Sequence, residues 1–117
     1  MNYLMIGAMS GCLVVIMGAF GAHALNEILD DYGKSIYNKA VLYHMFHSIA
    51  ILILGLIDKI QPEIQLYISG WSFVFGIILF SGSLYILAIT GIKSLGMITP
   101  IGGILFIIGW IVLFLKI

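Results

Sequence analysis

From Tyr37 to Ile57 the chain stays apolar for the length of one bilayer crossing, about 20 residues of helix. Two of its three histidines, His44 and His47, lie inside that run. At about 100° per residue, Val41, Leu42, Met45, Phe46, Ile49, Leu52, Ile53, Leu56 and Ile57 fall on one side. Ala40, Tyr43, His44, His47, Ser48, Ala50 and Gly55 fall on the other. Such a helix is predicted to turn one half to lipid and the other to protein.

Composition points to the same solvent. Hydrophobic residues make up 62% of the 117 positions and charged residues 9%, against about 25% charged in soluble domains. A soluble core of this size could not cover that much apolar surface, so the chain is read as one integral membrane domain over residues 1–117. The net charge is zero and there is no arginine, which leaves no footprint for nucleic acid. The single cysteine, Cys12, has no partner for an internal disulfide. Ala22-His23-Ala24 and Ser10-Gly11-Cys12 imitate processing sites, but the amino end lacks the basic residues of a signal peptide. The first span is expected to stay in the mature protein.

Four spans are expected, at about 3–23, 37–57, 64–90 and 95–115, giving an all-α bundle of four transmembrane helices. Gly7, Gly11, Gly18 and Ala22 share a face of the first, suited to close helix approach in lipid. Between the first two spans, Leu25, Ile28, Leu29, Tyr32 and Ile36 recur at helical spacing among charged residues. That pattern predicts a short amphipathic interfacial helix, stopped by Gly33, with Ser35 capping the next helix. The third span carries a seam of Ser69, Ser72, Gly76, Ser83 and Thr90, with Ser81 and Tyr85 opposite. In the fourth, Thr99, Gly102, Gly103, Phe106, Gly109 and Trp110 share a face, with Pro100 in the first turns. Gly7, Gly11, Gly18, Gly76, Gly102, Gly103 and Gly109 are thus the expected packing glycines. Tyr3, Tyr67, Trp71 and Trp110 read as an interfacial belt.

Antiparallel tracing gathers His23, Tyr43, His44, His47, Ser81, Ser83, Tyr85, Thr90 and Thr99 in one membrane half. At 1.5 Å per residue from Asn38, His44 lies about 9 Å deep and His47 about 13 Å. An ionisable group at such depth is a candidate functional site; its structural alternative is a neutral imidazole bonded across helices. The candidate ligand or proton site is His23, Tyr43, His47, Ser81, Ser83, Tyr85 and Thr99. His44, on the shoulder of the polar face, is read as structural.

No carboxylate or second-helix histidine lies at the depth of His44 and His47, so neither a metal site nor haem is expected. No buried acid orients a base and no Gly-x-Ser-x-Gly turn occurs, so no catalytic residues are expected. No cofactor is expected either.

Gly18-Ala19-Phe20-Gly21-Ala22-His23, Tyr43-His44-Met45-Phe46-His47, Phe80-Ser81-Gly82-Ser83-Leu84-Tyr85 and Thr99-Pro100-Ile101-Gly102-Gly103, with Gly109-Trp110, resemble one family over nearly the whole chain. It is the group of small bacterial membrane proteins called domain of unknown function 423, which has animal relatives. The resemblance implies an uncharacterised four-helix protein of the inner membrane with cytoplasmic termini. It singles out His23, Tyr43, His47, Ser81, Ser83, Tyr85, Thr99 and Pro100. Glutamine is common at position 44 in relatives, which argues against His44 as a proton carrier.

Three functions compete. One is a small carrier or pore, a homo-oligomer in membrane lipid, that binds or passes a proton or small polar solute. A second is an accessory or scaffold protein, within a larger membrane complex, whose polar residues are structural. A haem or metal redox protein is the remote third.

Overall fold

The structure is a computed structural model that describes residues 1–117. It is all helix and turn, with four segments long and apolar enough to cross a membrane. These are α1 (Tyr3–His23), α2 (Asp31–Ile60), α3 (Tyr67–Thr90) and α4 (Thr99–Lys116). A 3₁₀ turn over Lys93–Met97 leads into α4.

Local chemistry sets the helix ends. The Asn2 side chain accepts from the Met5 N–H and opens α1. Gly91, at φ 70°, closes α3 in the left-handed conformation that glycine adopts without penalty. Pro100 stands in the first turn of α4, where its missing N–H removes no helical bond.

The segment before α2 departs from expectation. There is no separate interfacial helix: residues 24–29 form turns, and α2 begins at Asp31. Asp30 caps it by accepting from the Gly33 N–H at 2.7 Å. Gly33 therefore lies inside the first turn instead of ending a helix. A Cβ there would lie 3.3 Å from the Ala88 carbonyl oxygen, so the glycine serves contact with α3. Leu25, Leu29 and Ile36 bury against Leu84 and Leu87 of α3, and their periodicity reflects that packing.

The helices make two hairpins. α1 packs on α2, α4 on α3, and α2 and α3 form the centre. The molecule is flattened, 49 × 26 × 17 Å. A second cluster, around Ile51, Leu54, Phe73 and Phe106, joins α2, α3 and α4 at the other end.

The first hairpin closes on two leucines, whose side chains and main-chain nitrogens both lie within 3.0 Å of a methyl group placed at Gly7 or Gly55. A methyl group at Gly7 would come within 2.8 Å of the Leu52 side chain, and one at Gly55 within 2.6 Å of Leu4. Gly21 leaves room for the Tyr37 ring, whose hydroxyl donates to the Met17 carbonyl. The expected small-residue face is thus turned toward Ser10 and Gly21. Gly11 has nothing near it, and Gly18 only the Val41 side chain at 3.7 Å.

The second hairpin closes on backbone at one point. Gly102 sits against the main chain of Leu79 and Phe80, inside a π-helical turn over Ile77–Gly82. Gly76 meets the Phe106 ring, and Gly109 meets Phe73 and Ser72. Gly103 is different, since a Cβ there would make only ordinary contact with the Phe80 ring at 3.8 Å.

Candidate functional site: two histidines on one helix

His44 and His47 are both buried, at 5% and 3% exposure. They serve separate networks.

His44 faces α1 and α3. Its Nδ1 is 2.9 Å from the Tyr85 hydroxyl and its Nε2 is 3.1 Å from Ser10 Oγ. Ser10 Oγ is 2.6 Å from Ser48 Oγ, and Ser48 donates to the His44 carbonyl at 2.7 Å. A hydroxyl has one proton to give, so that last bond fixes the directions of the bonds that Ser10 makes. Ser48 gives its proton to the carbonyl, so it accepts from Ser10. Ser10 then accepts from His44 Nε2–H, and His44 Nδ1 accepts from Tyr85. In its neutral form His44 carries its proton on Nε2.

His47 has the opposite tautomer. The Trp110 indole N–H, a donor only, points at Nε2 over 3.1 Å. Nε2 is therefore the acceptor, and Nδ1–H donates to the Tyr43 carbonyl at 2.8 Å. The ring stacks on Phe106 with centroids 3.6 Å apart and planes 8° from parallel. Phe46 and Phe73 flank it at 5.2 and 5.4 Å. A second proton would set two donors against each other at Nε2.

Three further links tie α3 to its neighbours. Ser81 donates to the Ala40 carbonyl on α2 at 2.8 Å. Ser83 Oγ and Thr99 Oγ1 of α4 share a hydrogen bond at 2.7 Å, and each hydroxyl also faces a carbonyl, Phe80 at 3.0 Å and Leu95 at 3.5 Å. Ser69 adds a bond to the Gly109 carbonyl at 2.9 Å. Every buried side-chain nitrogen and oxygen has a partner within the chain.

The expected site residues do not converge on one cavity. Tyr85 belongs with His44, Ser83 pairs with Thr99, and Ser81 bonds backbone. His23 is exposed at the end of α1 and makes no side-chain hydrogen bond. Thr90 is exposed and bonds its own helix. Tyr43 points outward, 39% exposed, although helical projection put it on the protein side. Trp110 is no belt residue: at 1.5 Å per residue it lies about 16 Å along α4 from Thr99, near mid-membrane. Tyr3 is likewise buried, against Gly70.

Ser10, Ser48, His44 and Trp110 are the participants that the sequence reading left outside the site. Ser48 and His44 were legible as polar members of the inward face of α2. Ser10 had only its place beside the glycine stripe of α1.

Two shallow grooves flank the histidines. One, of about 580 Å³, lies between α1 and α3 and includes Ser10, His44, Ser83 and Tyr85 among apolar walls. The other, of about 690 Å³, lies between α2 and α4 and includes Tyr43, His47, Phe80, Gly103, Phe106 and Trp110. No group of three metal-ligating side chains occurs.

Comparison with known proteins agrees with this architecture. Residues 17–103 match the family model described as "Protein of unknown function (DUF423)". A UPF0382 membrane protein of Staphylococcus epidermidis is 49% identical over 111 residues, covering 95% of this chain and 90% of the relative. One from a bovine Staphylococcus aureus strain is 49% identical over 114 residues, covering 97% and 93%. One from Bacillus subtilis is 42% identical over 112 residues, covering 95% and 91%. No solved structure matches the chain. With a family model spanning most of the sequence and full-length bacterial relatives named as membrane proteins, the chain belongs to the DUF423 family of uncharacterised membrane proteins.

Proposed function

We propose that the protein is a non-enzymatic accessory or scaffold protein of the bacterial cytoplasmic membrane, with both termini in the cytoplasm. Its buried polar residues act as clamps between helices. One observation carries this reading: both imidazoles have one donor and one acceptor nitrogen, and both nitrogens of each are occupied inside the chain. Polar groups in hydrocarbon need internal partners, and these partners link all four helices. A homo-oligomer or a larger membrane complex is the assembly such a module would serve.

The competing reading, in which the polar half binds or passes a proton or small polar solute, draws on a different observation. Tyr85 lies next to His44 Nδ1, and its hydroxyl can rotate from donor to acceptor. A proton added at Nδ1 would then still find a partner, which His47 could not offer.

His44→Gln separates the two. A glutamine amide supplies one acceptor and a donor but takes up no proton. The clamp reading expects the variant to keep its melting temperature in detergent within a few degrees, and proton flux into proteoliposomes to be the same low leak for both proteins. Flux in wild type that vanishes in a folded His44→Gln protein would overturn the clamp reading in favour of the carrier.

A further inference from the structure

The groove between α2 and α4 has a property that helix clamping does not require. Its floor and walls are largely aromatic: Tyr43, Phe46, His47, Phe80, Phe106 and Trp110. The Tyr43 ring lies 4.6 Å from Phe80 and 6.3 Å from Phe106, centroid to centroid. At about 690 Å³ it falls within the range of small-molecule pockets, about 300–1,000 Å³. From Pro100 to Trp110 it runs about 15 Å along α4.

Its polar groups are unequal. His47 Nε2 is taken by the Trp110 N–H, and His47 Nδ1–H by the Tyr43 carbonyl. Tyr43 is 39% exposed and forms part of the groove wall, and its hydroxyl has no hydrogen-bond partner within the chain. In a hydrocarbon setting an unpaired hydroxyl is costly, so the site offers one unspent donor beside aromatic faces. Gly103 keeps the groove open. It is not needed for close helix contact, since a Cβ there would meet the Phe80 ring at 3.8 Å.

We propose that the α2–α4 groove binds a membrane-soluble molecule with a flat, unsaturated ring and a carbonyl oxygen, the ring lying against Phe80 and the carbonyl accepting from Tyr43. Flat rings gain offset-stacked or edge contacts with aromatic side chains. A saturated acyl chain would fill the same volume but leave the Tyr43 hydroxyl unpaired. The proposal goes beyond the accessory role and does not depend on it, because His44 lies in the other groove.

The test uses the full chain in lipid nanodiscs, in a Trp71→Phe background so that Trp110 is the sole tryptophan. The probe is a 1,4-benzoquinone with a decyl tail, read by quenching of Trp110 fluorescence. Saturable quenching is expected, weakened about 5- to 10-fold in Tyr43→Phe, as for one lost hydrogen bond. Gly103→Leu should remove the saturable component, as should Ile107→Phe on the groove wall if the leucine variant fails to fold. His44→Gln should bind like its parent, whatever it does to proton flux. Quenching that rises linearly with quinone and is equal in Gly103→Leu and Ile107→Phe would overturn the proposal. Equal affinity in Tyr43→Phe, or displacement by methyl laurate as effectively as by unlabelled quinone, would also overturn it.

Discussion

His44 and His47 stand three residues apart on α2, and their surroundings have little in common. His44 joins hydroxyls: Tyr85 from α3, Ser10 from α1 and Ser48 from its own helix. His47 lies in an aromatic box, stacked on Phe106 and held by Trp110, both from α4. One ring carries its proton on Nε2 and the other on Nδ1. The same side chain therefore ties α2 to α1 and α3 in one case and to α4 in the other. A neutral imidazole suits both because it is donor and acceptor at once, and its ring supplies apolar faces to pack.

The contrast extends to the hairpins. α1 and α2 approach over Gly7 and Gly55, each of which meets a leucine side chain first and the main-chain nitrogen of the same leucine at 3.0 Å, while α4 meets α3 at Gly102 against main chain alone. The largest effect is accordingly expected at Gly102. Gly102→Leu should lower stability by about 3 kcal/mol or more, at or beyond the usual overpacking range, seen as loss of the folded species on detergent thermal melts. Gly103→Ala, one residue on, should change stability by less than about 0.5 kcal/mol.

His47→Ala comes next. It removes a stacked ring and strands the Trp110 N–H, with an expected loss of about 2–4 kcal/mol. Guanidinium or SDS titration in mixed micelles would measure it. A loss below 1 kcal/mol would mean that the aromatic box holds without its imidazole.

The His44 network should prove more forgiving of isosteres and less of hydrophobes. His44→Leu leaves the Ser10 and Tyr85 hydroxyls short of a partner and should cost about 1–3 kcal/mol. His44→Gln should cost less than about 1 kcal/mol. Equal losses in the two variants would erase the distinction drawn between a hydrogen-bonding clamp and simple packing. Ser81→Ala and Thr99→Val, each deleting one interhelical bond, should be smallest, at about 0.6 kcal/mol apiece.

Much of this frame was legible in the residues. The four crossings followed from length and apolarity, and the inward face of α2 from its periodicity. Gly76, Gly102 and Gly109 were recognisable as contact points because helices in lipid need close approach. Other features depend on tertiary partners that periodicity does not carry. Gly33 looked like a stop signal, yet contact with Ala88 and an Asp30 cap keep it inside a helix. Trp110 carried the composition of a belt residue, and only the neighbour across the groove makes its N–H a clamp. Helical projection put Tyr43 among the buried residues because it neighbours His44 and His47 in angle. The spread between α2 and α4 leaves it on an open wall instead.

The tautomers themselves offer the most direct test. Imidazole ¹⁵N chemical shifts, recorded at pH 7 on labelled protein in nanodiscs and assigned with His44→Gln and His47→Gln, distinguish Nδ1–H, Nε2–H and doubly protonated rings. Two neutral rings of opposite type are expected, Nε2–H at His44 and Nδ1–H at His47. An imidazolium signal at either position, or the same tautomer at both, would contradict this expectation.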